Sequence, residues 1–261
     1  MSSKIVNIGG VPDELIAVIS QLFTEIEKGD QADPVLLKKF HLRLANLRNQ
    51  LSIEKGFQNY LEMMVNHKAR DFHLKAQDLI ELFLRFDTKK LIPTSFDSIN
   101  LPKFVLPDEV LQLVEKTTHA TLPDIKYSLA ELQDYASYQK VGESYEIILP
   151  NNIHQVQKVS MLIHELCHVI NHQHQVNITN QFENENQTMK LEFQVASSIS
   201  KEFLDAVKSA YSSCVTRVQA EINLYQAVST PVDDSAWLKD TKIVLTPFCD
   251  WPAAYGLYNN L

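Results

Sequence analysis

Apolar residues recur at helical spacing over residues 12–28, 34–51 and about 53–86, which predicts a run of helices at the start of the chain. Pro12 before Asp13 and Glu14, and Asp33 before Pro34, are credible helix starts: a fixed φ or a capping side chain stands where helix N–H groups lack partners. Leu36, Leu37, Phe40, Leu44 and Leu47 form one stripe, a core-facing side or, as the rival reading, a partner-binding groove. The pattern breaks between Thr88 and Pro107, where Pro93, Pro102 and Pro107 sit among polar residues, so a connector is expected there. Residues 1–90 are therefore read as a helical region of unknown role, and 105–261 as a second domain.

A short helix over about 108–118 opens that domain. Residues 125–149 are rich in Tyr, Ile and Val, and Gly142-Glu143 resembles a hairpin turn, so a small sheet follows. Helices are then predicted over about 154–171, 187–210 and 213–228, with a polar loop reaching to about Asn186 between the first two. The strand-like TKIVLTPF and an aromatic tail close the chain. The fold class is mainly α with a small antiparallel or mixed β-sheet, of the α+β kind.

Charge narrows the choice of partners. The 32 acidic residues exceed the 24 basic ones, and a net charge of -8 opposes broad attraction to nucleic acid or anionic lipid. Asp13 and Glu14 interrupt the start before a signal-peptide core could form, and no stretch approaches the roughly 18 apolar residues of a membrane span. Cys167, Cys214 and Cys249 are widely spaced with no CxxC pair, which points away from a disulfide framework and from a cysteine metal knuckle. A cytoplasmic protein is expected, with neither nucleic acid nor membrane as partner.

The chemistry lies in Met161-Leu-Ile-His164-Glu165-Leu-Cys167-His168-Val-Ile170. Residues i and i+4 share a helix face, so His164 and His168 can offer two imidazoles to one zinc ion, with Glu165 beside them. A carboxylate so placed can accept a proton from water and pass it to a leaving amine. The surrounding residues are apolar on nearly all sides, so this helix is buried, where unpaired polar groups are costly. Two satisfied core histidines with a salt-bridged Glu are the bland alternative. Cys167 points off the metal face and reads as a small core residue.

In this HExxH stretch, with uncharged neighbours and a hydrophobic residue following, the chain resembles the zincin metallopeptidases. The order of a helix, a few strands and the HExxH helix is also similar over roughly residues 105–210. The resemblance implies a zincin-like catalytic core with Zn2+ held by His164 and His168 and with Glu165 as general base. It also implies that the strand at Ser144 to Pro150 is an edge strand. A catalytic zinc takes a third protein ligand. In gluzincins this is a Glu on the next helix, which selects Glu192, 24 residues beyond His168, with Ala196, Ser197 and Ser198 following. Glu183 and Glu185, read as loop residues, are weaker candidates. His174 is the metzincin alternative, with Asn171 at the turn and Met189 as the methionine, although Met189 falls in a predicted helix. His172 is too far along the helix to join the ion. The tail aromatics Trp251, Tyr255 and Tyr258, like Tyr211 and Tyr225, are left open between packing and an oxyanion role.

The resemblance implies a zinc-dependent endopeptidase acting on a protein or peptide substrate. The alternative is a helical protein-binding module with a structural or catalytically idle zinc site. A free carboxylate at Glu165 favours the first, because a closed structural site has no use for it.

Overall fold

The computed structural model describes residues 12–68, 74–88, 91, 93–101, 107–131, 135–174, 180–226, 238–240, 243 and 248–261. The chain divides into two compact units, one of residues 1–85 with 216–250 and the other of 86–215 with 251–261. Among the described residues the architecture is helical with one small sheet, and no helix is long and apolar enough to cross a membrane.

In the first unit, α1 (Asp13–Ile26) begins after Pro12 with two acidic residues in its first turn, and α2 (Pro34–Glu54) is capped by the Asp33 side chain, which accepts from the Val35 and Leu36 amides. Val18 and Leu22 of α1 meet Leu37 and Leu44 of α2 and Leu238 in a buried cluster, with Phe40 and Leu47 against its side. The Leu-rich stripe of α2 is thus a core face. Full burial of each such side chain contributes about 1.5–3 kcal/mol.

The single helix expected over 53–86 is instead split into α3 (Tyr60–Lys68) and α4 (Ala76–Leu84). Gly56, at φ +87, ends α2: its amide donates to Ile53 O and the Phe57 amide to Ser52 O, the bond pattern of a Schellman cap. The glycine can take the left-handed conformation without the Cβ clash, and helical periodicity alone does not register that.

The second unit carries α5 (Asp108–Thr118), then β1 (Ile125–Ala130), β2 (Ser137–Val141) and β3 (Ser144–Pro150). The sheet is mixed, in the order β1-β3-β2, with β1 parallel and β2 antiparallel to β3. Val141 pairs with Ser144 across the two-residue Gly142-Glu143 turn, with Gly142 at φ +66. The strand Ser144–Pro150 is therefore central, not the edge strand that the resemblance implied. Its Tyr145, Ile147 and Leu149 are buried in alternation, and a strand pairs with it on either side, which leaves β1 and β2 on the edges among the described residues.

The remaining elements are α6 (Gln155–Gln173), α7 (Gln181–Ile199), α8 (Lys201–Tyr225) and α9 (Trp251–Asn259). Two boundaries differ from the predicted ones. α7 starts at Gln181, because Asn180 caps it by accepting from the Glu183 amide at 2.9 Å. The predicted 187–210 helix is broken at Ser200, whose backbone is extended and whose Oγ accepts from the Phe203 amide at 3.0 Å to start α8. α9 lies close against α7, where a Cβ on Gly256 would stand 3.1 Å from the Glu185 carbonyl oxygen. Trp251 is buried and Tyr258 partly exposed, and both belong to this helix. The strand expected at TKIVLTPF lies largely outside the described residues.

Candidate metal centre

The centre is assembled by two helices through matched polar stripes. On α6, His164, His168 and Asn171 recur at i, i+4 and i+7; on α7, Glu185, Thr188 and Glu192 recur at i, i+3 and i+7, so each set lines one face. Glu192 meets His164, and Thr188 meets both His168 and Asn171, so the helices run antiparallel. Met189, Phe193 and Val195 beside this stripe on α7, and Leu162, Ile163 and Leu166 on α6, are buried.

The Nε2 atoms of His164 and His168 face each other at 3.1 Å. Glu185 completes the cluster: its Oε1 lies 3.4 Å from His168 Nε2 and its Oε2 3.6 Å from His164 Nε2. Zinc bonds of 2.0–2.2 Å in a tetrahedron put neighbouring ligand atoms roughly 3.3–3.6 Å apart, so these three groups fit the ion. Among the described residues, His164, His168 and Glu185 are the one group of three suited to hold a metal.

The Nδ1 edges are engaged elsewhere. His164 Nδ1 lies 3.0 Å from Glu192 Oε2 and 2.9 Å from Tyr211 Oη on α8. His168 Nδ1 lies 3.0 Å from Thr188 Oγ1 and 3.3 Å from Asn184 Oδ1. An acceptor at Nδ1 keeps a proton there, so the proton that a metal displaces is the one on Nε2, which gives the tautomer a zinc site requires. The ring of Tyr138, from strand β2, stacks on His168 at 5.4 Å and 16° and restrains it from a third direction.

Glu192 is thus close to His164, but on the imidazole edge that faces away from His168. Glu185 occupies the edge where the two Nε2 atoms converge. His174 is exposed at the C-terminus of α6, its amide donating to Ile170 O. His172 accepts or donates at Nδ1 with Tyr145 Oη at 3.2 Å, away from the cluster. Cys167 is fully buried in the core. Tyr225 belongs to the other unit, bonded to Arg48 at 2.6 Å.

Three carboxylates and two imidazoles share this buried space, so with neutral histidines the site is strongly negative. Burial disfavours a charged His164, but the carboxylates of Glu192, Glu185 and Glu165 outweigh it and hold its pKa up to about 10. Burial also acts to raise the Glu185 carboxyl, yet the His168 contact and the charges of both histidines bring it below the usual range. Glu165, itself buried, is raised above that range by desolvation, which the nearby histidines offset only in part. Such a site favours a cation.

The sequence pattern put Glu185 in a loop, left Tyr211 open between packing and an oxyanion role, and did not single out Thr188, Asn184 or Tyr138. One signal was available: Asn180 followed three residues later by Glu183 is a helix-start signature, and a helix from there aligns Glu185, Thr188 and Glu192.

No family model matches the sequence, and no curated protein matches it. Solved structures do share its fold. An M32 carboxypeptidase from Deinococcus radiodurans R1 matches with a TM-score of 0.56 at 13% identity, over 94% of this chain and 66% of that one. A second structure, described as that of CHT, matches with a TM-score of 0.53 at 13% identity, over 96% of this chain and 65% of the other. The chain spans just under two thirds of the length of each, and what the likeness establishes is a shared fold, mainly helical with a small mixed sheet.

Proposed function

We propose that this chain is a zinc-dependent peptidase that hydrolyses internal bonds of a protein or peptide substrate, with His164, His168 and Glu185 holding the ion. The observation that carries this is the convergence of two Nε2 atoms and a carboxylate, 3.1–3.6 Å apart, with the buried carboxyl of Glu165 close enough to feel the charge of both histidines. Glu192, the third ligand expected from the sequence, is assigned instead to orienting His164. When bound, zinc supplies Lewis acidity that polarises a carbonyl and brings the pKa of water to about 7.

The chain's own groups do the rest. His164 and His168 keep their Nδ1 protons on Glu192, Thr188 and Asn184, so their Nε2 atoms stay available. Glu165, adjacent in sequence to His164 and raised by burial, takes the proton of the attacking water and returns it to the departing amine nitrogen. An idle structural site would have a fourth protein ligand; among the described residues the cluster has three members.

Glu165→Gln tests this. The variant should keep its fold and zinc content while hydrolysis falls by roughly 10²–10⁴-fold. The assay is mass-spectrometric detection of new termini in a peptide library. Cleavage at the wild-type rate by Glu165→Gln would remove the mechanism. The fold shared with a carboxypeptidase favours a second reading, removal of C-terminal residues, and the same assay separates it: new termini within peptides mean internal cleavage, and stepwise shortening means terminal cleavage.

A further inference from the structure

The hydroxyl of Tyr211 closes a triangle with His164 and Glu192. It donates to Glu192 Oε2 at 2.7 Å and lies 2.9 Å from His164 Nδ1, while that nitrogen and carboxylate oxygen are themselves 3.0 Å apart. Glu192 is only 1% exposed, and the Tyr211 ring packs near Phe193, 6.3 Å between centroids, from a different helix. Packing alone explains a ring at this place. It does not explain a hydroxyl within bonding distance of both a buried carboxylate and the outer nitrogen of an imidazole whose inner nitrogen faces His168.

We propose that Tyr211 is a positioning residue of the metal centre, fixing the plane of His164 together with Glu192; this rests on the zinc reading above. With one acceptor at Nδ1 the imidazole can pivot about that bond, and the Nε2 lone pair sweeps off the metal direction. A second contact from α8 removes that freedom. The hydroxyl also fills part of the hydrogen-bonding capacity of Glu192, which holds the carboxylate where His164 needs it. Sites of this kind depend on such outer contacts to keep ligands within roughly 10–20° of their working orientation.

The test is Tyr211→Phe, which keeps the ring and removes the oxygen. Zinc affinity by chelator competition should fall roughly 10- to 100-fold, while the melting temperature of the metal-free protein changes little. Substitution of cobalt for zinc adds a reading that packing does not move: the visible ligand-field bands should shift in Tyr211→Phe. Because both residues act through one nitrogen, Tyr211→Phe combined with Glu192→Gln should lose little more than the worse single variant. Wild-type affinity with an unchanged cobalt spectrum, or fully additive losses, would overturn the proposal.

If Tyr211→Phe does not fold, the zinc-loaded wild type decides the matter. Nitrogen-15 spectra of its histidines should show a His164 Nδ1 proton in slow exchange with water, and fast exchange would overturn the proposal. A wild type that binds no zinc, or Glu185→Ala that binds it unchanged, would fail the underlying reading instead.

Discussion

Replacing each candidate carboxylate in turn separates ligand from support, since Glu185 faces the Nε2 atoms of both histidines and Glu192 the Nδ1 of one. A closed four-ligand zinc site binds with about 10–16 kcal/mol, or about 2.5–4 kcal/mol per ligand. At 1.4 kcal/mol per tenfold, Glu185→Ala should therefore weaken zinc binding by roughly 10²–10³-fold. Loss of an outer contact costs roughly 10–100-fold, so Glu192→Ala should bind zinc more tightly than Glu185→Ala. His174→Ala, altering an exposed side chain, should bind like wild type. Zinc retained after dialysis against a graded series of chelators orders the three variants, and melting of each metal-free protein controls for the cavity left at buried Glu192. The reasoning fails if Glu192→Ala is the weaker binder of the two, and fails differently if His174→Ala loses the ion.

Two further outcomes follow from the same geometry. His164 titrates near 10 in the metal-free fold against 6.5 in an unfolded chain, so its charge stabilises the fold fully below about pH 6.5, and that stability is lost as pH rises through about 10. Zinc must displace this proton, so affinity should rise with pH across that window; calorimetry near neutral pH should give heats that depend on the buffer's ionisation enthalpy, and buffer-independent heats would contradict the assignment. Gly256→Ala places a Cβ 3.1 Å from the Glu185 carbonyl oxygen, a backbone atom, and 2.8 Å from the more yielding Met189 sulfur. Pushing α9 off α7 should cost about 1–3 kcal/mol and weaken zinc binding through Glu185, whereas unchanged melting and affinity would show the contact to be slack.

Local pattern was enough for much of this molecule. The HExxH spacing on an apolar helix placed His164, Glu165 and His168 together, because i and i+4 adjacency is a property of the helix itself. Pro12, Asp33 and Pro34 marked the starts of α1 and α2 for a similarly local reason. Periodicity was weaker at boundaries set by single residues: Gly56 ends α2, Asn180 begins α7 and Ser200 parts α7 from α8, each through a hydrogen bond or backbone angle that a hydrophobic average does not register.

Everything that crosses between elements was decided by tertiary structure. Which of Glu185 and Glu192 faces the Nε2 atoms depends on how α7 is rotated and displaced against α6, and a shift of one or two turns exchanges their roles. That Ser144–Pro150 is central depends on strand order, to which an alternating pattern is indifferent. Tyr138, Tyr211 and Gly256 reach the centre or its support from β2, α8 and α9, up to 92 positions from His164 in sequence, and no local spacing links them to it. Nor does any local feature bring residues 216–250 into the unit of the first 85. The sequence by itself determined that the two imidazoles and the Glu165 carboxyl stand together, since one helix carries all three. Which carboxylate faces the Nε2 atoms and which groups meet the Nδ1 atoms required packing between helices, where contacts form between residues whose proximity only the folded chain creates.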